Sequence, residues 1–208
     1  IMGSNISPET IIEPKDYTSA MHNILNQNVN VDTLLTKSIA LDELKKENVC
    51  LAANGQFYRR DRQGFMPEMV QKMFDDRKVY KKEQLDAEAL YEVEKDPARK
   101  KELKDKIAKF NNLQLSKKVS LNSLYGAMGS KYFRFFDLRN AIAVTSTGQL
   151  SIRWIEQRVN AYLARVLKKE QDYVIAVDTD SVYLNLDELV SQTYQAVSYT
   201  HLTLPTKA

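Results

Sequence analysis

The sequence predicts a mixed α/β fold of the α+β kind, with long helices and antiparallel β-hairpins in separate stretches of the chain. Asp96–Pro97 divides two helical patterns and predicts an antiparallel helix pair, because proline suits a first helical turn and disfavours helix in the residue before it. Asn54–Gly55 and Asp178–Ser181 each divide two apolar stretches and predict β-hairpins. With 208 residues, 43% of them hydrophobic, the chain is long enough to bury a core.

Loops, short helices and one hairpin are expected before the long helices. Residues 15–48 alternate short polar and apolar pieces without a strong period. Val49–Ala53 and Gln56–Arg60 flank Asn54–Gly55 and are predicted to be strands. Because Asn-Gly supplies two residues with positive φ, we expect a type I′ turn between them.

Two long helices are expected in the middle of the chain. The first begins at Pro67 and ends at Asp96–Pro97, and the second runs from Ala98 to about Leu124. Gly126–Ser130 is expected to break the second helix.

Folding back at Asp96–Pro97 is expected to gather three cations. The fold-back places position 77 opposite about position 115, so at ~1.5 Å rise per residue Arg77 and Lys118 lie within about one turn. Lys81 lies one turn further out. Residues 97–120 contain eight basic and two acidic residues, a local charge of +6, whereas the whole chain has a formal charge of +3.

The remaining elements are a strand, a helix and a second hairpin. Lys131–Phe136 is aromatic and is predicted to be a strand. Residues 141–167 have one apolar side and are predicted to be helical. Tyr173–Val177 and Val182–Leu186 form the strands of the second hairpin, and Asp187 is expected to cap a short final helix.

Two motifs point to chemistry on nucleotides. Lys118, Asn122 and Tyr125 stand four and three residues apart, so a cation, an amide and a phenol share one helix face that can hold a nucleotide. Asp178 and Asp180 lie at a hairpin tip, where carboxylates are suited to hold Mg²⁺. An Asp-Thr-Asp-Ser turn alone is more often a solvated turn than a metal site. The two motifs together favour nucleotidyl transfer.

Composition and hydropathy argue against a disulfide-stabilised, a secreted or a membrane-spanning protein. A lone cysteine, Cys50, excludes an internal disulfide and fits a reducing cytosol. The chain has no apolar run of membrane-spanning length and does not open on a signal peptide. These features predict a cytoplasmic protein without a membrane partner.

Five segments carry a resemblance to one known family. They are NISPET at 5–10, GFMPEMVQKMFDDRKVYKK at 64–82, KVSLNSLYGAMG at 118–129, YFRFFDLRNAIAVTSTGQ at 132–149 and DTDSVY at 178–183. Together they resemble the palm and fingers of a family B DNA polymerase of the tailed-bacteriophage replicative kind. The likeness covers nearly all of residues 4–190.

The resemblance implies a division of the chain. Residues 1–66 would belong to the palm, 67–125 would be the two-helix fingers hairpin, and 126–196 would be palm carrying the catalytic turn on an antiparallel β-hairpin. Residues 197–208 fit neither the preceding helix nor the family. Their sequence resembles a translated sequencing adapter, so they are predicted to be a non-native tail.

The resemblance also implies roles for the candidate site residues. Arg77, Lys81 and Lys118 would grip the incoming triphosphate. Asn122 would approach the same nucleotide, and Tyr125 would lie under the nascent base pair.

Asp180 would be the main metal ligand and Asp178 its weaker neighbour, with two Mg²⁺ ions in the complete enzyme. The reaction would add deoxynucleoside triphosphates to the primer end of primer–template DNA. A sliding clamp is a candidate partner, and a phage enzyme would act in the host cytoplasm. The family's first carboxylate motif should lie before Ile1, so the 208-residue chain alone is expected to be inactive.

Judged from the residues alone, three other functions are alternatives. A non-catalytic nucleic-acid-binding protein would use only the basic helical hairpin. A helical interaction module would have no affinity for triphosphates. A reverse transcriptase or RNA polymerase is disfavoured, because KVSLNSLYG would then have no role.

Overall fold

The computed structural model describes residues 1–179 and 181–193, the side chain of Thr193 excepted. These residues form a helix-rich fold with two small antiparallel sheets, which confirms the predicted mixed class. The chain divides into two compact units, from Ile1 to Thr147 and from Gly148 onward. The helices are α1 (Ser19–Leu25), α2 (Val31–Leu35), α3 (Phe65–Val93), α4 (Pro97–Met128), α5 (Leu138–Leu167) and α6 (Asp187–Thr193). The strands are β1 (Val49–Leu51), β2 (Phe57–Arg59), β3 (Val174–Asp178) and β4 (Ser181–Leu184).

The first hairpin is confirmed, but its predicted turn type is wrong. Strands β1 and β2 pair antiparallel, with Cys50 opposite Tyr58. Within the turn of this hairpin only Gly55 has a positive φ, +84°, whereas a type I′ turn needs two such residues. The Ala52 N–H donates to the Gln56 carbonyl and the Gly55 N–H to the Ala52 carbonyl, both at 2.9 Å. The loop therefore contains three residues rather than two, so glycine alone takes the left-handed conformation.

A buried hydrogen bond links this hairpin to α5. The Tyr58 hydroxyl donates to Asn140 Oδ1 at 2.8 Å, and both side chains are almost fully buried. Burial also raises the pKa of Tyr58, so the phenol stays protonated as a donor. Asn140 Nδ2 is itself buried without a partner in the described part of the chain.

We expect Tyr58→Phe to destabilise the first unit by about 1 to 3 kcal/mol, because it leaves Asn140 Oδ1 buried and unsatisfied. Urea denaturation of the 208-residue chain measures this loss. Tyr132→Phe removes a hydroxyl from an exposed ring and serves as the matched control. Equal stability of the two variants would contradict the prediction.

The amino-terminal segment NISPET holds the start of α3. The Gly64 N–H donates to Asn5 Oδ1 at 2.9 Å, the Phe65 N–H to Glu9 Oε1 at 2.6 Å and the Met66 N–H to Ser7 Oγ at 3.4 Å. A Cβ atom at Gly64 would come within 2.7 Å of Ser7 Cβ, so the close approach requires glycine. Three distant side chains therefore satisfy N–H groups at the start of this helix.

Glu9 makes this anchor sensitive to acid. Partial burial opposes its charge, but hydrogen bonds from the Ser7 hydroxyl and the Phe65 N–H outweigh that effect and lower the pKa of Glu9 below 4.5. A lowered native pKa means that the carboxylate stabilises the fold above about pH 4.5, and that this contribution is lost as the pH falls through the native pKa.

We expect Glu9→Gln to cost about 1 kcal/mol of stability at neutral pH, the usual size of a helix-cap contribution. The difference from the wild type should shrink in acid, as the pH falls through the lowered native pKa of Glu9 and the carboxylate is protonated. Denaturant titrations at neutral and acidic pH measure it, with the exposed Glu92→Gln as control. A difference that is constant with pH would contradict this role.

Helices α3 and α4 form the predicted antiparallel hairpin. Asp76 and Lys117 form an ion pair at 2.8 Å, and Glu83 and Lys106 another at 3.1 Å. These pairs place position 77 opposite about position 115, as the fold-back predicts. Asp96 caps α4, because its carboxylate accepts from the N–H groups of Ala98 and Arg99.

Helix α4 ends at Met128, within the predicted break at Gly126–Ser130 but four residues beyond its predicted end near Leu124, because burying Met128 outweighs the cost of about 1 kcal/mol for a helical glycine at position 126. The strand predicted for the next segment is wrong. Lys131–Phe136 forms consecutive turns instead of a strand. The Phe133 N–H donates to the Ser130 carbonyl and the Phe136 N–H to the Phe133 carbonyl, both at 2.9 Å. These local bonds satisfy the backbone where no strand lies alongside within residues 1–179 and 181–193.

Helix α5 begins three residues before its predicted start. The Arg139 N–H donates to Asp137 Oδ1 at 2.9 Å, and the Arg139 guanidinium pairs with Asp137 at 2.7 Å and with Glu13 at 2.9 Å. These ion pairs hold the start of α5 against the amino-terminal segment.

The second unit contains the second hairpin and α6. Strands β3 and β4 pair antiparallel, as predicted. Leu163, Leu167 and Tyr173 form a small buried cluster in the same unit. Asp187 is the first residue of α6. Its backbone N–H donates a hydrogen bond to Asn185 Oδ1 at 3.0 Å. None of the described helices combines the length and apolarity needed to cross a bilayer.

Candidate active site

Arg77 and Lys81 lie one turn apart on α3 and line one cleft. The cleft has a volume of about 380 Å³, and its other lining residues are Phe74, Lys78, Lys82, Leu85 and Asp86. The lining of the cleft therefore contains four cations and one carboxylate. This excess of positive charge favours an anionic ligand. Arg77 Nε is buried and has no hydrogen-bond partner among the residues that the structure describes. A buried donor without a partner is costly unless a ligand completes it.

Lys118, Asn122 and Tyr125 are all exposed on α4. Because α4 is continuous to Met128, their spacing of four and three residues places them on one face, as predicted. Lys118 does not line the Arg77 cleft, although it lies at the same level of the hairpin.

The neighbouring Lys117 has a different role from Lys118. The Asp76 carboxylate accepts a hydrogen bond from Lys117 and raises the pKa of this lysine. Lys118 forms no ion pair with any described residue. The ion pair with Asp76 therefore leaves Lys118, which the spacing with Asn122 and Tyr125 already indicates, as the cation available to a ligand.

Asp178 lies at the end of β3, in the second unit, and is exposed. It pairs with Ser181 across the hairpin, and its Oδ1 accepts from the Thr179 hydroxyl at 3.0 Å. Thr179 has a φ of +51°, which is unfavourable for a β-branched residue and costs roughly 1 to 3 kcal/mol. Strain of this kind is often found where a turn is shaped for function. Asp180, the predicted main metal ligand, lies outside the described residues.

The described residues do not assemble a complete metal site. No group of three or more His, Cys, Asp or Glu side chains converges within residues 1–179 and 181–193. Carboxylate oxygens are the ligands that Mg²⁺ prefers, so the donor chemistry of Asp178 and Asp180 fits the ion. The magnesium site stays a prediction, as do the roles of the five nucleotide-site residues.

Sequence reasoning missed the residues that hold the candidate site in place. Asn5, Ser7 and Glu9 anchor α3 from almost sixty residues away in the chain. Their polar side chains give no local signal of a distant helix to cap. The ion-pairing role of Asp76 was also not predicted, because an acidic residue on a charged helix is usually solvated.

Comparison with known proteins identifies the family. The family model for DNA polymerase family B matches residues 1–199. The chain therefore belongs to family B of the DNA polymerases, which confirms the family indicated by the five sequence segments.

Individual relatives are phage and archaeal polymerases. The chain is 30% identical to the DNA-directed DNA polymerase of Escherichia phage RB69, over 90% of this chain and 24% of that protein. It is 31% identical to the DNA-directed DNA polymerase of Enterobacteria phage T4, over 67% of this chain and 20% of that protein. The family B DNA polymerase of Pyrobaculum calidifontis has the same fold over 92% of this chain, with a TM-score of 0.53 and 21% identity. The chain thus spans about a quarter or less of the length of these relatives.

Proposed function

We propose that the chain provides the nucleotide site and part of the metal site of a DNA-directed DNA polymerase. Such an enzyme adds deoxynucleotides to a primer 3′ end and releases pyrophosphate. The observation that carries this proposal is the cationic cleft on α3, in which Arg77 keeps a buried donor without a partner beside Lys81.

Each candidate residue has a proposed task in this reaction. Arg77, Lys81 and Lys118 bind the triphosphate and stabilise the charge that develops on the leaving pyrophosphate. Asn122 and Tyr125, on the same face of α4 as Lys118, bind the nucleotide and test the shape of the new base pair.

Asp178 and Asp180 would hold two Mg²⁺ ions in the complete enzyme. When bound, the ions supply Lewis-acid chemistry at the triphosphate and at the primer hydroxyl. The exposed Asp178 carboxylate and the strained Thr179 beside it support a role for this turn.

The proposed partners are primer–template DNA, deoxynucleoside triphosphates and a sliding clamp. Because two relatives are phage polymerases, we propose the cytoplasm of a host cell as the place of action.

Triphosphate binding tests this function against its alternatives. We expect Arg77→Ala to weaken the binding of dATP to the 208-residue chain by roughly tenfold, since a charge-assisted hydrogen bond is lost. Isothermal titration calorimetry in magnesium buffer measures the affinity. Arg99→Ala is the matched control, because Arg99 is an exposed arginine about 28 Å along α4 from Lys118.

Two outcomes would refute the nucleotide site. Equal losses from Arg77→Ala and Arg99→Ala would indicate non-specific attraction to a basic hairpin. A chain that binds DNA but has no affinity for dATP would instead be the non-catalytic nucleic-acid-binding protein, and a chain that binds neither would be an interaction module.

A further inference from the structure

One side of α3 carries exposed residues at the spacing of a helix-packing seam. They are Val79, Glu83, Asp86, Leu90 and Val93, here called the outer stripe, and they follow one another at intervals of four, three, four and three residues. Residues at this spacing stay on one side of a helix and form the seam along which helices pack together. Val79, Leu90 and Val93 are 59%, 56% and 74% exposed. The outer stripe therefore leaves three aliphatic side chains in water that a second pair of helices could bury.

The outer stripe lies away from the cationic cleft. Leu90 follows Lys81 by nine residues, so at ~100° per residue the two side chains leave α3 on opposite sides. Asp86 lies at the border and also lines the cleft. Gln84 and Ala87 are buried and mark the side of α3 that packs against α4. A partner on the outer stripe would thus occupy a surface separate from the proposed nucleotide site.

The outer half of the α3–α4 hairpin carries opposite charges on its two sides. Residues 83–96 contain six acidic residues and one basic residue, a local charge of −5, and residues 97–109 contain six basic and two acidic residues, a local charge of +4. The two stretches lie side by side, since Glu83 and Lys106 form an ion pair at 3.1 Å. Asp86 and Lys109 are exposed, and neither forms an ion pair with a residue that the structure describes.

A second copy of the hairpin complements this surface. A half-turn about an axis parallel to the helices places α3 of each copy over α4 of the other and keeps the two Asp96–Pro97 loops at the same end. The acidic stretch then faces the basic stretch twice. Side chains lean toward the start of their own helix, and α3 and α4 run in opposite directions. Asp86 of one copy and Lys109 of the other therefore lean toward each other.

We propose that the outer stripe is a self-association surface, through which two copies of this chain pack their hairpins together with Asp86 of each copy beside Lys109 of the other. The acidic charge of the stripe disfavours nucleic acid, whereas every copy of the chain carries the basic stretch that complements it. The inference does not depend on the proposed polymerase function.

The size of the surface predicts a weak association. From Val79 to Val93 it is about 21 Å long and, across two helices, about 20 Å wide, which gives about 400 Å² on each copy. This area lies below that of stable interfaces, so we expect a Kd on the order of 10 to 100 µM.

Sedimentation velocity of the 208-residue chain, from about 5 to about 500 µM, measures the association. We expect a concentration-dependent shift from monomer to dimer. Leu90→Lys should raise the Kd by about tenfold or more, because the seam would bury a charge beside the basic stretch. Leu85→Lys is the matched control, since Leu85 is 50% exposed on the same helix but points about 140° away from Leu90. The control should change the Kd by less than about twofold, and thermal unfolding like that of the wild type would show that both variants are folded.

Charge reversal tests which helices meet. Asp86→Lys and Lys109→Glu should each weaken self-association, because like charges then face each other in both halves of the dimer. An equimolar mixture of the two variants, with a fluorophore on one of them, should associate like the wild type, since opposite charges meet again. Raising the salt from about 0.1 to about 1 M should weaken the wild-type dimer, because the screening length falls from about 10 to about 3 Å.

Several results would overturn the proposal. The wild type could stay monomeric at about 500 µM, Leu90→Lys could leave the Kd unchanged, or Leu85→Lys could weaken the dimer as much as Leu90→Lys. A mixture of the reversed variants that stays monomeric, while the wild type dimerises, would show that the dimer forms through another surface.

Discussion

Replacing Asp180 by Ala in a full-length polymerase that carries this segment is expected to lower primer extension by roughly 10³-fold or more. Metal ions that clamp a triphosphate contribute several kcal/mol to the transition state, and each ~1.4 kcal/mol is a factor of ten in rate. Primer–template affinity should hardly change, because it depends mainly on phosphate contacts elsewhere. Single-turnover extension and a gel-shift titration measure the two quantities separately.

Two other carboxylates in the second unit sharpen this experiment. Asp178→Ala should be milder than Asp180→Ala, and equal losses would mean that the turn binds metal through the pair. Asp187→Ala removes an exposed carboxylate at the start of α6 and should leave extension unchanged. If Asp180→Ala instead weakened DNA binding as much as extension, Asp180 would have a structural role.

The second large effect is expected at Lys118. In the same full-length polymerase, Lys118→Ala should lower kcat/KM for the incoming nucleotide by roughly tenfold to a hundredfold, because a charge-assisted contact is worth on the order of 1.5 to 3 kcal/mol. KM should rise and the incorporation rate should fall, since the charge on the leaving pyrophosphate loses a cation. Lys118→Arg should restore part of the activity, although its planar fork differs from a compact ammonium.

Lys104 provides the matched control for Lys118. It is an exposed lysine on nearly the same side of α4, fourteen residues or about 21 Å from Lys118. Lys104→Ala should leave nucleotide kinetics unchanged. An unchanged dependence on nucleotide for Lys118→Ala, with weaker DNA binding, would assign Lys118 to the DNA track and favour the non-catalytic binding protein.

The parts of the fold that depend on local rules could be predicted from the sequence. Asp96–Pro97 and the helical periodicity were sufficient to place Arg77 opposite about position 115, because an antiparallel helix pair has few free parameters. The strand predicted for Lys131–Phe136 was wrong, because aromatic residues favour strands only where another strand pairs with them. The type I′ turn was wrong because loop length depends on which residues pair across the hairpin.

In the candidate site, too, only the features that depend on local sequence could be predicted. Offsets of three and four residues placed Lys118, Asn122 and Tyr125 on one face, since a continuous helix fixes that geometry. The ion pair between Lys117 and Asp76 could not be predicted, because it joins two helices and no local pattern encodes it. The contacts of Asn5, Ser7 and Glu9 with α3 were equally inaccessible, because they join segments almost sixty residues apart.

The hydrogen bonds of Asn5, Ser7 and Glu9 hold the start of α3, so a tilt there would displace each residue of the helix in proportion to its distance from Gly64. Arg77 is about 20 Å along α3 from the anchored end at Gly64, and the far end of the helix is about 43 Å away. A tilt of ten degrees at the anchor would displace Arg77 by about 3.5 Å, roughly the length of a hydrogen bond, and the far end by about twice as much. Because ion pairs join α3 to α4 on both sides of position 80, Lys118 would travel with Arg77. A tilt at the amino-terminal anchor would therefore move the cations of both helices together.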